Sequence, residues 1–138
     1  MRRRFLLAAL LLPMLPAAGR AAPGGVVVIG HPDLDKLDAA TVQRIYTGRV
    51  VEVGGKAVTP VNASAGSAVR SRFLQSYLQQ DEDKYVAYWT VRRYIGKGVP
   101  PRELGSPAEV IRFVQGTPGA IGYVDEASLA PGLNVLLR

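Results

Sequence analysis

The chain has 138 residues, a formal net charge of +6, one histidine and no cysteine. That length supports one domain with a modest core. The absence of Cys excludes thiol catalysis and a disulfide framework, and a single His argues against a structural zinc site.

The first segment reads as an address and not as part of a fold. Arg2, Arg3 and Arg4 precede an apolar run over residues 5–15, and residues 16–22 are rich in small side chains. This is the pattern of a secretory signal peptide over residues 1–21, with cleavage expected between residues 19 and 22. The run falls short of the roughly 20 apolar residues of a membrane-spanning helix. Four arginines leave with the segment, which lowers the net charge of the remainder to +2. The high isoelectric point therefore belongs mostly to the leader, and no Lys/Arg block in residues 22–138 reads as a nucleic-acid stripe. The expected location is periplasmic or secreted.

Residues 26–29 are continuously apolar, as in a strand buried on both faces, and Gly30, His31 and Pro32 stop it. His31 reads as a loop residue because no catalytic partners accompany it. Asp33, Asp35 and Asp38 lack the glycine and terminal glutamate of a calcium loop; solvation and helix capping account for them. Asp38 is placed to cap a helix that turns Val42, Ile45 and Tyr46 inward, with Gly48 just past its end. Residues 50–53 are β-prone, and Gly54, Gly55 and Lys56 form a turn.

The central stretch, residues 58–78, reads strand, tight loop, helix. Val58, Thr59 and Val61 precede small and polar residues at 62–67, and Val69, Phe73 and Tyr77 then recur at helical spacing. The loop delivers Ser64, Gly66 and Ser67 to a helix start, where backbone N–H groups lack partners and the helix dipole is positive. Such a corner attracts anions, and Arg70 stands one turn further on. Ser64 also suits a plain capping role.

Asp81 to Asp83 open the next predicted helix and Arg92 and Arg93 close it, in keeping with the dipole. Tyr85, Val86, Tyr88, Trp89, Val91 and Ile95 give it a broad apolar face, expected to pack in the core. Residues 96–101 form a glycine-flanked basic loop stiffened by two prolines, without phosphate-loop spacing. Ser106, Pro107 and Glu109 read as a capping box with Pro at the first helical position. Residues 120–124 and 133–137 read as final strands. Strands alternating with helices indicate an α/β domain. No nucleophile–base set is visible, so an enzyme is not indicated, and the reading calls for no metal or cofactor.

Four tracts together resemble the phosphate-type periplasmic solute-binding proteins. LDAATVQRIYTGRV (37–50) is similar to their helix and following Gly-basic segment, and VNASAGSAVRSRF (61–73) to their anion-binding loop and helix. TPGAIGYVD (117–125) matches their turn and strand, and YWTVRRYIGKGVPPRELGSPAEV (88–110) resembles a tract of short, single-lobe relatives described as phosphate ABC transporter substrate-binding proteins. The resemblance implies one lobe of a type 2 periplasmic-binding-protein-like fold, a mixed sheet flanked by helices, spanning residues 22–138. It also implies that the chain is an exported binding protein for inorganic phosphate or a similar oxyanion. The ligand would be held by Ser64, Gly66, Ser67, Ala68 and Arg70, and the protein would serve ABC-type uptake through a membrane transporter or another envelope partner.

The family motif Arg-x-Asp-Gly-Ser-Gly-Thr is only partly kept. Gly66 and Ser67 match, while Ala63, Ala65 and Val69 replace the Arg, Asp and Thr. The chain is also expected to lack a first lobe ahead of residue 26, so a homodimer or a separate chain would complete the site. These departures support a second reading, a degenerate lobe acting as an envelope interaction module through a face around Tyr85, Tyr88 and Arg92.

Overall fold

A computed structural model describes residues 22–138, and the expected signal segment lies outside the described residues. Five strands form a mixed sheet: β1 (Val26–Gly30), β4 (Thr59–Ala63), β5 (Arg102–Leu104), β6 (Ala120–Asp125) and β7 (Asn134–Leu137), in the order β5-β4-β6-β1-β7. β4 runs parallel to both β5 and β6, whereas β1 is antiparallel to both β6 and β7. A small hairpin of β2 (Glu52–Val53) and β3 (Lys56–Ala57) stands apart.

The all-apolar run of β1 follows from its central place. Val26 and Val28 face one layer, Val27 and Ile29 the other, and all four are fully buried. The first layer is formed by α1 (Ala39–Tyr46), α2 (Ala68–Phe73) with its π-helical continuation Leu74–Leu78, and α3 (Glu82–Tyr94). Its centre is aromatic: Phe73 stacks on Tyr123 with centroids 3.8 Å apart and meets Tyr46 edge-on at 4.7 Å. The second layer is α4 (Pro107–Gly116), whose Val110 and Val114 pack on Val27, Val61 and Val124.

The helix boundaries follow the side-chain chemistry. Asp38 accepts from the Thr41 amide at 2.7 Å and Asp81 from the Lys84 amide at 2.8 Å. Gly48 has φ +72°, as the turn after α1 requires. At α4 the Ser106 hydroxyl accepts from the Glu109 amide, but the Glu109 carboxylate takes the Gly105 amide at 2.7 Å, one residue before the reciprocal bond of a capping box.

The structure corrects the expectation for α3. Tyr85 and Trp89 are buried, but Val86, Val91 and Ile95 are exposed. The helix is apolar on two faces, and only one meets the core. The contact face expected around Tyr85, Tyr88 and Arg92 is likewise not free. The Tyr85 and Tyr88 hydroxyls donate to the Tyr46 and Thr47 carbonyls, and Arg92 donates to the Gly48 carbonyl.

Candidate functional site

β4 ends at Ala63 and the chain turns sharply. The Ser67 amide donates to the Ser64 carbonyl at 3.0 Å, with Gly66 at φ +80° in the third place of the turn. That is the pattern of a type II turn, which favours glycine there. Ser67 is the residue preceding α2, and its own hydroxyl caps nothing. Ser64 does not cap the helix either; its hydroxyl donates to the Leu104 carbonyl at 3.4 Å.

The strand end is held from below. The Tyr123 hydroxyl accepts from the Ala63 amide at 3.0 Å and donates to Asn62 Oδ1 at 2.9 Å. Asn62 in turn donates to the Tyr85 hydroxyl at 3.0 Å. Burial pushes the Tyr46, Tyr85 and Tyr123 hydroxyls above the usual phenol value, so they remain protonated donors.

Above this support lies a cavity of about 270 Å³ bounded by the starts of α2 and α4 and the end of β6. Ser64, Ser67 and Ala68 line it from one side, Ser106 and Pro107 from another, and Tyr123 and Asp125 from beneath. Two helix N-termini open on it together. The Ala68, Val69 and Arg70 amides are the first of α2 and have no acceptor in their own helix. The Ser67 Oγ is buried and has no hydrogen-bond partner among the described residues. Gly66 is exposed at the tip of the loop, with open space where a Cβ would stand.

Arg70 requires a correction. It points away from this cavity and is almost wholly buried. Its Nε donates to Glu82 Oε2 at 2.9 Å, and its Nη1 donates to Glu103 Oε1 at 2.7 Å and to the Ala63 carbonyl at 3.2 Å. Two carboxylates neutralise its charge, and its donors are committed to the support of the loop. Sequence reasoning missed Arg72, two residues further along, which pairs with Asp125, a residue lining the cavity. The i, i+2 offset puts Arg70 and Arg72 on opposite sides of the helix, which is the signal that separates them.

A second cavity of about 410 Å³ lies on the Arg70 side, between α3 and residues Pro100 and Pro101. It is larger and is lined by Arg93 as well as the paired Arg70, but among the described residues none of its lining side chains is a buried polar group left without a partner, as Ser67 is in the smaller cavity. Among the described residues, no group of three or more metal-ligating side chains comes together.

No protein-family model and no curated protein sequence matches the chain. Solved structures do match. PstS from Borrelia burgdorferi aligns over 82% of this chain and 46% of its own, with a TM-score of 0.60 at 19% identity. A putative phosphate ABC transporter substrate-binding protein from Clostridium perfringens, solved with bound phosphate, aligns over 81% and 44%, with a TM-score of 0.57 at 18% identity. An ABC-type phosphate transport receptor from Vibrio cholerae aligns over 81% and 45%, with a TM-score of 0.56 at 15% identity. The fold is that of one lobe of a phosphate-type binding protein. The chain spans somewhat under half the length of each of these structures. Within this lobe β1 is antiparallel to both of its neighbours, while the other strands run parallel to one another.

Proposed function

We propose that the chain is an exported solute-binding lobe for a small oxyanion, with phosphate the preferred ligand, and that it serves ABC-type uptake without enzymatic activity. The observation that carries this reading is the Ser67 hydroxyl, buried and without a partner among the described residues, beside a cavity onto which two helix N-termini open. A buried hydroxyl without a hydrogen bond is costly, and an oxyanion would satisfy it together with the free amides of α2. The ligand would be held by Ser64, Ser67 and the backbone of Gly66 and Ala68. The likeness to structures named for phosphate transport supports the choice of ligand.

One lobe leaves such a site open to water on one side, which weakens its hydrogen bonds. A second copy or a separate chain would close it. The deciding experiment is calorimetric titration with phosphate and sulfate. Phosphate should release or absorb heat, and Ser67→Ala should weaken binding on the order of tenfold while leaving the fold intact. Silence at millimolar phosphate would refute the proposal.

The second reading, an interaction module without a solute, is favoured by one observation. The only arginine that the sequence offered to the ligand is neutralised by Glu82 and Glu103. Recovery of a stoichiometric envelope partner, insensitive to phosphate, together with silent titrations would select it.

A further inference from the structure

The outward half of α3 and the loop after it present apolar side chains that nothing among the described residues covers. Val86 is 48% exposed, Val91 61%, Ile95 57%, Val99 69% and Tyr94 91%. At helical spacing Tyr94, Val91 and Ile95 fall within an arc of about 100° away from the buried Tyr85 and Trp89, with Val86 apart from them beyond Thr90. A helix apolar on both faces needs a partner on each. Contiguous exposed apolar surface of this kind marks a contact site, whereas scattered exposed residues do not.

Around the C-terminal end of α3 and the loop after it the charge has one sign, whereas the acids Glu82 and Asp83 stand in the first turn of the helix. No acidic side chain occurs between Lys84 and Arg102, while Arg92, Arg93 and Lys97 all fall in that interval. Arg93 and Lys97 are exposed and enter none of the ion pairs of the described residues. Both flank Tyr94 and Ile95 at the same end of the helix. Arg102 is exposed nearby and lines a groove with Val51 and Val99. The nearest carboxylate beyond it, Glu103, is paired with Arg70.

We propose that this face seats the protein on an anionic lipid surface. Tyr94, Ile95 and Val99 would enter the boundary between headgroups and acyl chains, and Arg93 and Lys97 would meet the headgroup charge. The attachment is peripheral, since among the described residues no helix is long and apolar enough to cross a membrane. An exposed tyrosine among aliphatic side chains, edged by unpaired cations with no acid among them, is complementary to such a layer. An acidic protein is the other occupant such a face would take, and the lipid-only arms of the test separate the two. The face is separate from the serine-lined cavity, so seating leaves that cavity free.

The test uses the full chain carrying Tyr94→Trp as a local reporter; the single native tryptophan, Trp89, is buried and gives a constant background. The reporter senses the surroundings of this face, and the charge-reversal arm below separates seating through it from any attachment through residues 1–21. Mixing with vesicles of phosphatidylcholine and phosphatidylglycerol in equal parts should shift its emission to the blue, whereas phosphatidylcholine alone should not. Adding Arg93→Glu and Lys97→Glu should weaken the apparent vesicle affinity on the order of tenfold or more. Salt at about 1 M, where the screening length is about 3 Å, should abolish the shift. All three substituted positions are exposed, so folding is not at risk, and Val91→Ser gives an independent reduction. Three results would overturn the proposal: no shift with anionic vesicles, a shift indifferent to charge reversal, or a concentration-dependent shift without lipid, which would assign the face to a second copy.

Discussion

Arg70 and Glu82 meet side by side between α2 and α3, with Nε 2.9 Å from Oε2 and Nη2 2.8 Å from Oε1. The two-point geometry fixes the guanidinium plane, and the Tyr85 ring lies 5.4 Å from its centre. Replacing Arg70 by alanine would strand Glu82 and remove a donor from the Ala63 carbonyl. Because Glu82 and Glu103 keep some solvent contact, the loss should be about 2–3 kcal/mol, below the full cost of breaking a wholly buried pair. Urea unfolding should show it. Phosphate affinity of the folded fraction should change little.

Tyr123→Phe tests the support beneath the loop. The substitution keeps the stack on Phe73 and leaves the Ala63 amide and Asn62 Oδ1 without their partner. Both are buried, so the expected cost is about 1–3 kcal/mol. Denaturant midpoints should fall without a change in slope.

Two glycines with positive φ should respond differently to alanine. At Gly66, φ +80°, a Cβ meets open space, so only the backbone conformation is penalised, by about 1 kcal/mol. At Gly119, φ +75°, a Cβ would stand 2.1 Å from the Ala57 carbonyl oxygen. That neighbour is backbone and cannot swing away. Gly119→Ala should therefore lower the melting temperature far more than Gly66→Ala, which a thermal melt of the pair would check.

Asp38 gives a pH dependence with a defined sign. Hydrogen bonds from Thr41, side chain and then amide, outweigh desolvation and hold its carboxyl below the usual 3.8. A depressed folded value stabilises the protein above the unfolded value and ceases to do so as pH falls through the folded one. Asp38→Ala should thus lower the melting temperature at neutral pH, and the gap from the parent should close below pH 3.8. A gap that persists into stronger acid would rule out the capping account.

Local chemistry made much of the fold readable. Asp38, Asp81 and Ser106 each stop an orphan amide, so the three long helices begin where those residues stand. The strand-loop-helix at Ser64 to Ala68 was legible because small residues interrupt two different hydrophobic periods. β5 was not, since Arg102 and Glu103 are exposed and follow two prolines; only its pairing with β4 makes it a strand. The fate of Arg70 was also hidden, because Glu103 lies 33 residues away and only the tertiary fold brings the two together. On α3 the apolar residues occur on both sides of the helix, so periodicity could not tell which valines face inward.

The position of β1 has a consequence for how the polypeptide reaches this state. Val26 pairs with Asp125, and Val28 with Leu137, so the earliest strand made is flanked by the two latest. Four consecutive aliphatic residues must stay unpaired until residues 120–137 have been synthesised. Such distant pairing slows folding and prolongs the interval in which a sticky segment is open to aggregation.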